Sequence, residues 1–212
     1  METNNSNTYH SRRIKLSHDI LHQFQHSLES IGNCFDNNNY LEAIDLIINC
    51  KGKLITTGMG KAGIAMRKFS ATLCSLGTPS CYLHPGEASH GDLGVIDKND
   101  ILFVASTSGK TREIIEVITL SKQINNNPII GLTSHPGSII RSKADVILDM
   151  GNCEEAGSLK MAPTTSILIM QAITDTIALV VAEEKGFSKS EFGMLHHSGY
   201  IGSMAREDGV IY

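Results

Sequence analysis

The chain has 212 residues, a length typical of one sizeable domain. Hydrophobic residues make up 41% of it and charged residues 19%, which is ordinary for a folded protein with a substantial buried core. The net charge of −4 argues against a general nucleic-acid-binding protein, because such proteins carry a clustered basic face.

The start of the chain, METNNSNTYH, is polar and lacks the basic and then apolar segment of a secretion signal. We expect residues 1–13 to be disordered. The five cysteines are odd in number and have no CxxC spacing, which favours reduced thiols and a cytoplasmic protein.

Apolar residues recur at helical spacing over residues 14–35, and residues 41–50 form a second, shorter segment of the same kind. These segments predict a helical lead-in over residues 14–50. The basic cluster Arg12-Arg13-Ile14-Lys15 is then expected to lie on the polar face of the first helix, not on a nucleic-acid-binding surface.

Residues 51–186 alternate short apolar strands with helices, and a glycine-punctuated tail follows over 187–212. This alternation predicts an α/β fold: a three-layer αβα sandwich whose five-stranded parallel sheet is covered on both faces. Residues 14–212 would form a single domain. The predicted strands are KLITT (53–57), PSCYL (79–83), DILFVAS (100–106), NPIIGLTS (127–134) and DVILDM (145–150).

A long apolar helix is predicted to begin near Pro163, since proline is favoured in the first turn of a helix. Its most apolar run, residues 166–182, is interrupted by Gln171 and by the polar residues 174–176. The unbroken apolar stretches are far shorter than the roughly 20 residues of a membrane span. We therefore expect a buried or interface helix and no membrane partner.

Ligands of open parallel sheets bind beyond the carboxyl ends of the strands, and STSGKT (106–111) follows the third strand. It ends like a nucleotide-binding P-loop, but the first glycine of that motif would fall on Val104, inside the strand. The hydroxyls of Ser106, Ser108 and Thr111 instead converge on a helix N-terminus, which favours a cradle for one phosphate group that also includes Thr107. Helix capping alone is the alternative.

GMGKAG (58–63) follows the first strand and matches the dinucleotide fingerprint GxGxxG. The acidic residue that would hold the ribose is missing at the end of the second strand, CYLHP. The glycines, Gly60 among them, more simply let the backbone and Lys61 approach a substrate closely.

LHPGEASHGDLG (83–94) places His84 and His90 near this edge of the sheet. Their spacing is not that of a helical zinc pair, and no third ligand is spaced nearby, so we expect no metal. GxSxG is absent, which leaves no activated serine. Carboxylates and imidazoles around a phosphate anchor favour proton abstraction next to a carbonyl group.

With GMGKAG, HPGEASHGDLG, STSGKTREI and EEAGSLKMAPTTS, the chain resembles the sugar isomerase (SIS) domain family, and the arabinose-5-phosphate isomerases in particular. The resemblance implies a flavodoxin-like SIS fold and a homotetramer whose active sites are completed by neighbouring subunits. It also implies, without a cofactor, interconversion of D-ribulose 5-phosphate and D-arabinose 5-phosphate, which supplies Kdo synthesis for lipopolysaccharide or capsule. Many members continue into paired CBS domains; the chain stops at Tyr212, so we expect a free-standing isomerase domain.

The same resemblance assigns roles to five residues. Glu155 would remove the proton next to the carbonyl through a cis-enediol, Lys61 would stabilise the charge on oxygen, and His196 or His90 would open or orient the sugar. Glu113 matches a glutamate that opens the helix after the phosphate loop. Glu154 is an alternative to Glu155, and LHHSG departs from the SHPGG of the family, which leaves the position of His196 open.

Three other hypotheses remain. The first is a different SIS isomerase that acts on a hexulose or heptulose phosphate, since the sequence does not show the length of the sugar. The second is a non-catalytic sugar-phosphate sensor, since SIS domains also occur in transcription regulators. Activated Kdo (CMP-Kdo), a downstream product, is a possible feedback ligand at the same site.

Overall fold

The computed structural model describes residues 2–32, 35, 38–197, 202 and 204–205, and the side chains of residues 2–8 are left aside. Its helices are α1 (Glu2–Ser30), α2 (Asn38–Asn49), α3 (Lys61–Ser75), α4 (Pro85–Ala88), α5 (Arg112–Ile124), α6 (Ile140–Lys143), α7 (Thr165–Glu184) and α8 (Lys189–Leu195). Its strands are β1 (Leu54–Gly58), β2 (Ser80–Tyr82), β3 (Ile101–Ala105), β4 (Ile129–Thr133) and β5 (Val146–Asp149), and Asp92–Val95 form a short 3₁₀ helix.

The five strands form one parallel sheet in the order β2-β1-β3-β4-β5. This order is that of flavodoxin-like folds, whose ligands bind beyond the carboxyl ends of the strands. β1, β3 and β4 are buried along their whole length. The predicted five-stranded parallel sheet is therefore confirmed, each strand within a few residues of its predicted bounds.

Helices cover both faces of the sheet and create two hydrophobic cores. On one face α2, α3 and α7 pack around Phe69 and Phe103, whose rings meet edge to face at 5.0 Å. On the other face α4, α5 and α6 pack on Ile55, Leu102 and Val104. The three-layer arrangement predicted from the alternation of strands and helices is thus the observed one.

Helix α7 is a core helix. It is long and apolar enough to pass a simple test for a membrane span, but ten of its residues are buried. They lie against the sheet and against α2 and α3, as the sequence predicts for a buried helix.

Helix α1 begins at Glu2, whereas the sequence predicts disorder over residues 1–13. Residues 9–13 are exposed, so no buried apolar contact marks them as helical in the sequence. The helix extends upstream from the turns that contact α7, because adding a turn to an existing helix costs far less than starting one.

Candidate active site

The loop between β3 and α5, residues 106–111, is built around its own hydroxyl groups. The hydroxyls of Ser106 and Thr111 lie 2.9 Å apart, and the backbone N–H of Gly109 donates to Ser106 Oγ at 3.1 Å. Thr111 is the N-cap of α5, yet its side chain makes no capping bond there. The N–H groups of the first turn of α5 are therefore available to a ligand at the positive end of the helix dipole.

A second segment, residues 133–139, holds this loop in place through hydrogen bonds. The carbonyl of Thr107 accepts hydrogen bonds from the backbone N–H groups of Ser134 (3.1 Å) and His135 (3.2 Å), and the Gly109 carbonyl accepts from Ile139 (3.1 Å). The buried Thr133 hydroxyl donates to the same Thr107 carbonyl at 3.3 Å. Sequence reasoning missed this support, although the polar run TSHPGS directly after β4 was a signal.

The glycine turn after β1 brings Lys61 to the same edge of the sheet. Gly60 has φ +61°, a backbone conformation that favours glycine, and Lys61 is the first residue of α3. A Cβ at Gly63 would lie 2.4 Å from the carbonyl oxygen of Gly58, so this glycine allows α3 to pack closely on β1. The turn positions a lysine and a helix N-terminus, as predicted.

One cavity of about 230 Å³ joins the 106–111 loop and Lys61. Its predicted lining residues are Lys61, Ser106, Thr107, Ser108 and Thr111. Those that the sequence did not predict are Met59, Ala62, Ala105, Pro163 and Ile167. Pro163 and Ile167 flank the start of α7, so three helix N-termini, those of α3, α5 and α7, meet at this cavity.

Three other predicted residues are not on the lining of this cavity. His84 caps α4, where its Nδ1 accepts a hydrogen bond from the backbone N–H of Gly86 at 3.2 Å. His90 is exposed on the loop after α4, and Glu113 is half-buried in the first turn of α5. Their roles as substrate-binding or catalytic residues stay predictions.

Glu155 does not line this cavity, and its carboxylate is bound to the start of α7. Its Oε2 accepts from the backbone N–H of Thr164 at 2.8 Å, and its Oε1 accepts from the Ser166 hydroxyl. Glu154, the predicted alternative, pairs with Lys160 at 2.5 Å, and both side chains are exposed. The role of Glu155 as the base stays a prediction.

His196 lies far from the cavity of its own chain. Its ring stacks on Phe192 at 3.9 Å, and its Nε2 is 3.3 Å from the hydroxyl of Ser75, the last residue of α3. Lys61 begins the same helix, and at 1.5 Å per residue the two ends are about 21 Å apart. The single chain therefore does not bring His196 and Lys61 together.

A larger cavity of about 590 Å³ lies beyond β4 and β5 and is lined in part by Thr107 and Ser108 of the 106–111 loop. Cys153 lies on its wall, and burial raises the pKa of this thiol. Within the described residues no three His, Cys, Asp or Glu side chains stand close enough together to hold a metal ion.

The SIS domain model matches residues 46–178 of the chain. Arabinose 5-phosphate isomerase KpsF of Escherichia coli is 39% identical over 176 residues, which are 83% of this chain and 54% of that protein. Arabinose 5-phosphate isomerase KdsD of Pseudomonas aeruginosa is 38% identical over 165 residues, 78% of this chain and 50% of that protein. The chain thus spans about half the length of the curated relatives it matches.

Two solved structures are similar over nearly their whole length. A candidate phosphosugar isomerase involved in capsule formation, from Bacteroides fragilis NCTC 9343, has a TM-score of 0.84 and 38% identity, covering 89% of this chain and 99% of that one. The c3406 protein of E. coli CFT073, in complex with arabinose 5-phosphate, has a TM-score of 0.82 and 32% identity, covering 88% and 98%. By its sequence, its sheet order and its loop after β3, the chain belongs to the SIS domain family.

Proposed function

We propose that the chain is an aldose–ketose isomerase that interconverts D-ribulose 5-phosphate and D-arabinose 5-phosphate through a cis-enediol. The observation that carries this proposal is the single cavity that unites the 106–111 loop with Lys61. A phosphate anchor beside a cation is what an isomerase needs to hold a sugar phosphate and to stabilise charge on its carbonyl oxygen.

The phosphate binds at the 106–111 loop. The hydroxyls of Ser106, Ser108 and Thr111 donate to its oxygens, together with the uncapped N–H groups of α5. A helix N-terminus with free donors favours an anion through both its hydrogen bonds and its dipole. Lys61, which lines the same cavity, then contacts the sugar.

The proton transfer between the two sugar carbons needs a general base. The candidates from the sequence are Glu155, Glu113, His90 and His196. In the described part of the chain none of these four lines the cavity. We infer that the proton is carried by a side chain that approaches when substrate binds, or by one from a neighbouring chain.

The position of His196 favours the second route. It lies at the end of α3 remote from Lys61, so it can act only at the site of another subunit. Ile64 on α3 and Leu179 on α7 are 65% and 59% exposed, which suits an interface that uses these two helices. The predicted homotetramer with shared sites is therefore part of this proposal.

The names of the relatives KpsF and KdsD, and the arabinose 5-phosphate complex of c3406, support a pentose phosphate as the substrate. The alternative is a hexulose phosphate. A Methanococcus jannaschii protein, MJ1247, described as a 3-hexulose-6-phosphate isomerase, is 26% identical with a TM-score of 0.62. Supply of Kdo synthesis, inhibition by CMP-Kdo and a cytoplasmic location stay predictions.

The test is an isomerase assay on the full chain without added metal or cofactor. We expect it to form ribulose 5-phosphate from D-arabinose 5-phosphate and to leave hexulose 6-phosphates unchanged. If the protein converts only the hexulose phosphate, the proposed pentose phosphate substrate is wrong and a hexulose phosphate takes its place. Tight binding of arabinose 5-phosphate without turnover would favour the non-catalytic sensor.

A further inference from the structure

The carboxylate of Glu155 accepts three hydrogen bonds from the start of α7 and part of a fourth. Oε2 accepts from the backbone N–H groups of Thr164 (2.8 Å) and Ser166 (3.4 Å). The Thr164 hydroxyl lies 3.3 Å from the same oxygen and shares its one proton with the Ala162 carbonyl at 3.2 Å. Oε1 accepts from the hydroxyl of Ser166. A carboxylate has about four acceptor sites in all, so these donors occupy nearly its whole capacity.

Glu155 thereby does the work of an N-cap. Thr164 occupies the N-cap position of the 20-residue helix α7, but its own side chain makes no capping bond. A carboxylate at this end satisfies the N–H groups that lack a partner and interacts favourably with the helix dipole. Thr165, fully buried, ties the same two segments together by accepting from the backbone N–H of Ala156 at 3.0 Å.

The turn that Glu155 holds is a wall of the substrate cavity. Pro163 and Ile167 immediately flank the bonded residues, and both line the cavity of Lys61 and Thr111. Glu155 itself lines a different cavity, of about 390 Å³, between α1 and residues 152–160. Its carboxylate thus acts on the cavity through the backbone of α7.

We propose that Glu155 is a positioning residue: it fixes the start of α7, and with it the Pro163–Ile167 wall, and it does not take the substrate proton. This inference rests on the proposed function. A base must aim a lone pair at the substrate, whereas the lone pairs of Glu155 are aimed at Thr164 and Ser166.

Ser166→Ala separates the two roles, because Ser166 is 1% exposed and touches Glu155 without lining the cavity. Ser166→Ala, Glu155→Gln and the double variant are titrated with D-arabinitol 5-phosphate, which has no carbonyl and cannot isomerise. Ser121→Ala is the matched control. Ser121 is also 1% exposed and donates to Asn127 Oδ1 at 3.0 Å, before β4 and away from the site.

If Glu155 is a positioning residue, we expect both single variants to bind D-arabinitol 5-phosphate about tenfold more weakly, because charge-assisted hydrogen bonds that hold the cavity wall are lost. The double variant should bind no worse than Glu155→Gln alone, because the two residues act through one contact. The acidic limb of the pH–kcat/KM profile should persist in Glu155→Gln, and Ser121→Ala should bind like wild type.

The opposite outcome identifies Glu155 as the base: wild-type binding in Glu155→Gln, a fall in kcat of about 10²–10⁴-fold and loss of the acidic limb. Wild-type binding in Ser166→Ala also overturns the inference. The binding measurement does not depend on turnover. If the wild-type protein binds D-arabinitol 5-phosphate but isomerises neither sugar phosphate, only the proposed function is wrong, and the inference about Glu155 can still be tested by binding.

Discussion

Gly109 packs so closely against the side chain of Ser138 that no Cβ fits at position 109. A Cβ built at position 109 would lie 1.6 Å from Ser138 Oγ and 2.9 Å from Thr133 Oγ1, and Gly109 has φ +60°. Ser138 and Thr133 are buried and lie 3.1 Å apart, so neither side chain has room to retreat. The glycine of STSGKT is therefore required by the segment after β4.

Gly109→Ala is expected to displace the loop and to weaken the binding of inorganic phosphate and of sugar phosphates by more than about tenfold. The physical cause is the clash with Ser138, added to about 1 kcal/mol for a left-handed backbone without glycine. Competitive inhibition by phosphate and thermal unfolding measure the two effects.

Gly186→Ala is the control for backbone strain alone, since Gly186 has φ +66° and nothing within 4 Å of its built Cβ. It should lose stability but keep phosphate binding. Restoring space with Ser138→Gly should recover part of the binding in the Gly109→Ala background. Normal phosphate inhibition in Gly109→Ala would show that the anion binds elsewhere.

Ser106→Ala should raise KM for the sugar phosphate by about 10–100-fold, with a smaller change in kcat. The Ser106 hydroxyl orders the loop through Gly109 N and Thr111 Oγ1, and Ser106 lines the cavity in which we propose that the phosphate binds. Its loss is therefore expected to remove binding that is common to substrate and transition state. Steady-state kinetics with both sugar phosphates measure it. Ser142→Ala, an exposed serine bonded only within its own turn, is the control.

The strands and the polar loop between β3 and α5 were predictable because their signals are local. Apolar runs, the glycine turn and the clustered hydroxyls act within a few residues of one another. Lys61 and Ser106 line one cavity because the carboxyl ends of parallel strands lie side by side. The contact of His196 with Ser75 joins residues 121 positions apart, and the capping of α7 by Glu155 depends on how a loop closes. Neither leaves a periodic pattern in the sequence.

Lys61→Met should lower kcat/KM by about 10²-fold or more while leaving the affinity for inorganic phosphate within a few fold of wild type. Lys61 lines the same cavity as the 106–111 loop, and in the proposed reaction its charge would stabilise an enediolate oxygen. Lys98→Met, an exposed lysine at the other edge of the sheet, should behave like wild type. If Lys61→Met loses phosphate affinity and turnover to the same extent, Lys61 binds the phosphate group and does not stabilise the enediolate.

Asp100 lies just before β3, at the amino-terminal end of the strands, which is the end of the sheet remote from the site. Its side chain is 1% exposed and accepts from the ammonium of Lys53 at 2.6 Å, while backbone N–H groups of Lys53 and Asp97 donate to it at 2.8 Å. The hydrogen bond to Asp100 raises the pKa of Lys53 above 10.5, against a smaller opposing effect of burial.

The raised pKa of Lys53 gives a stability contribution that is fully present below pH 10.5 and is lost as pH rises through the folded-state pKa. Lys53→Met should cost about 1.5–3 kcal/mol at neutral pH, because the buried Asp100 carboxylate loses a charged donor. Urea unfolding of both proteins should show this difference shrinking above pH 10.5. Lys51→Met, at an exposed neighbouring position, controls for the general loss of positive charge. A difference that stays constant with pH would mean that the methylene stem of Lys53, and not its charge, stabilises this end of the sheet.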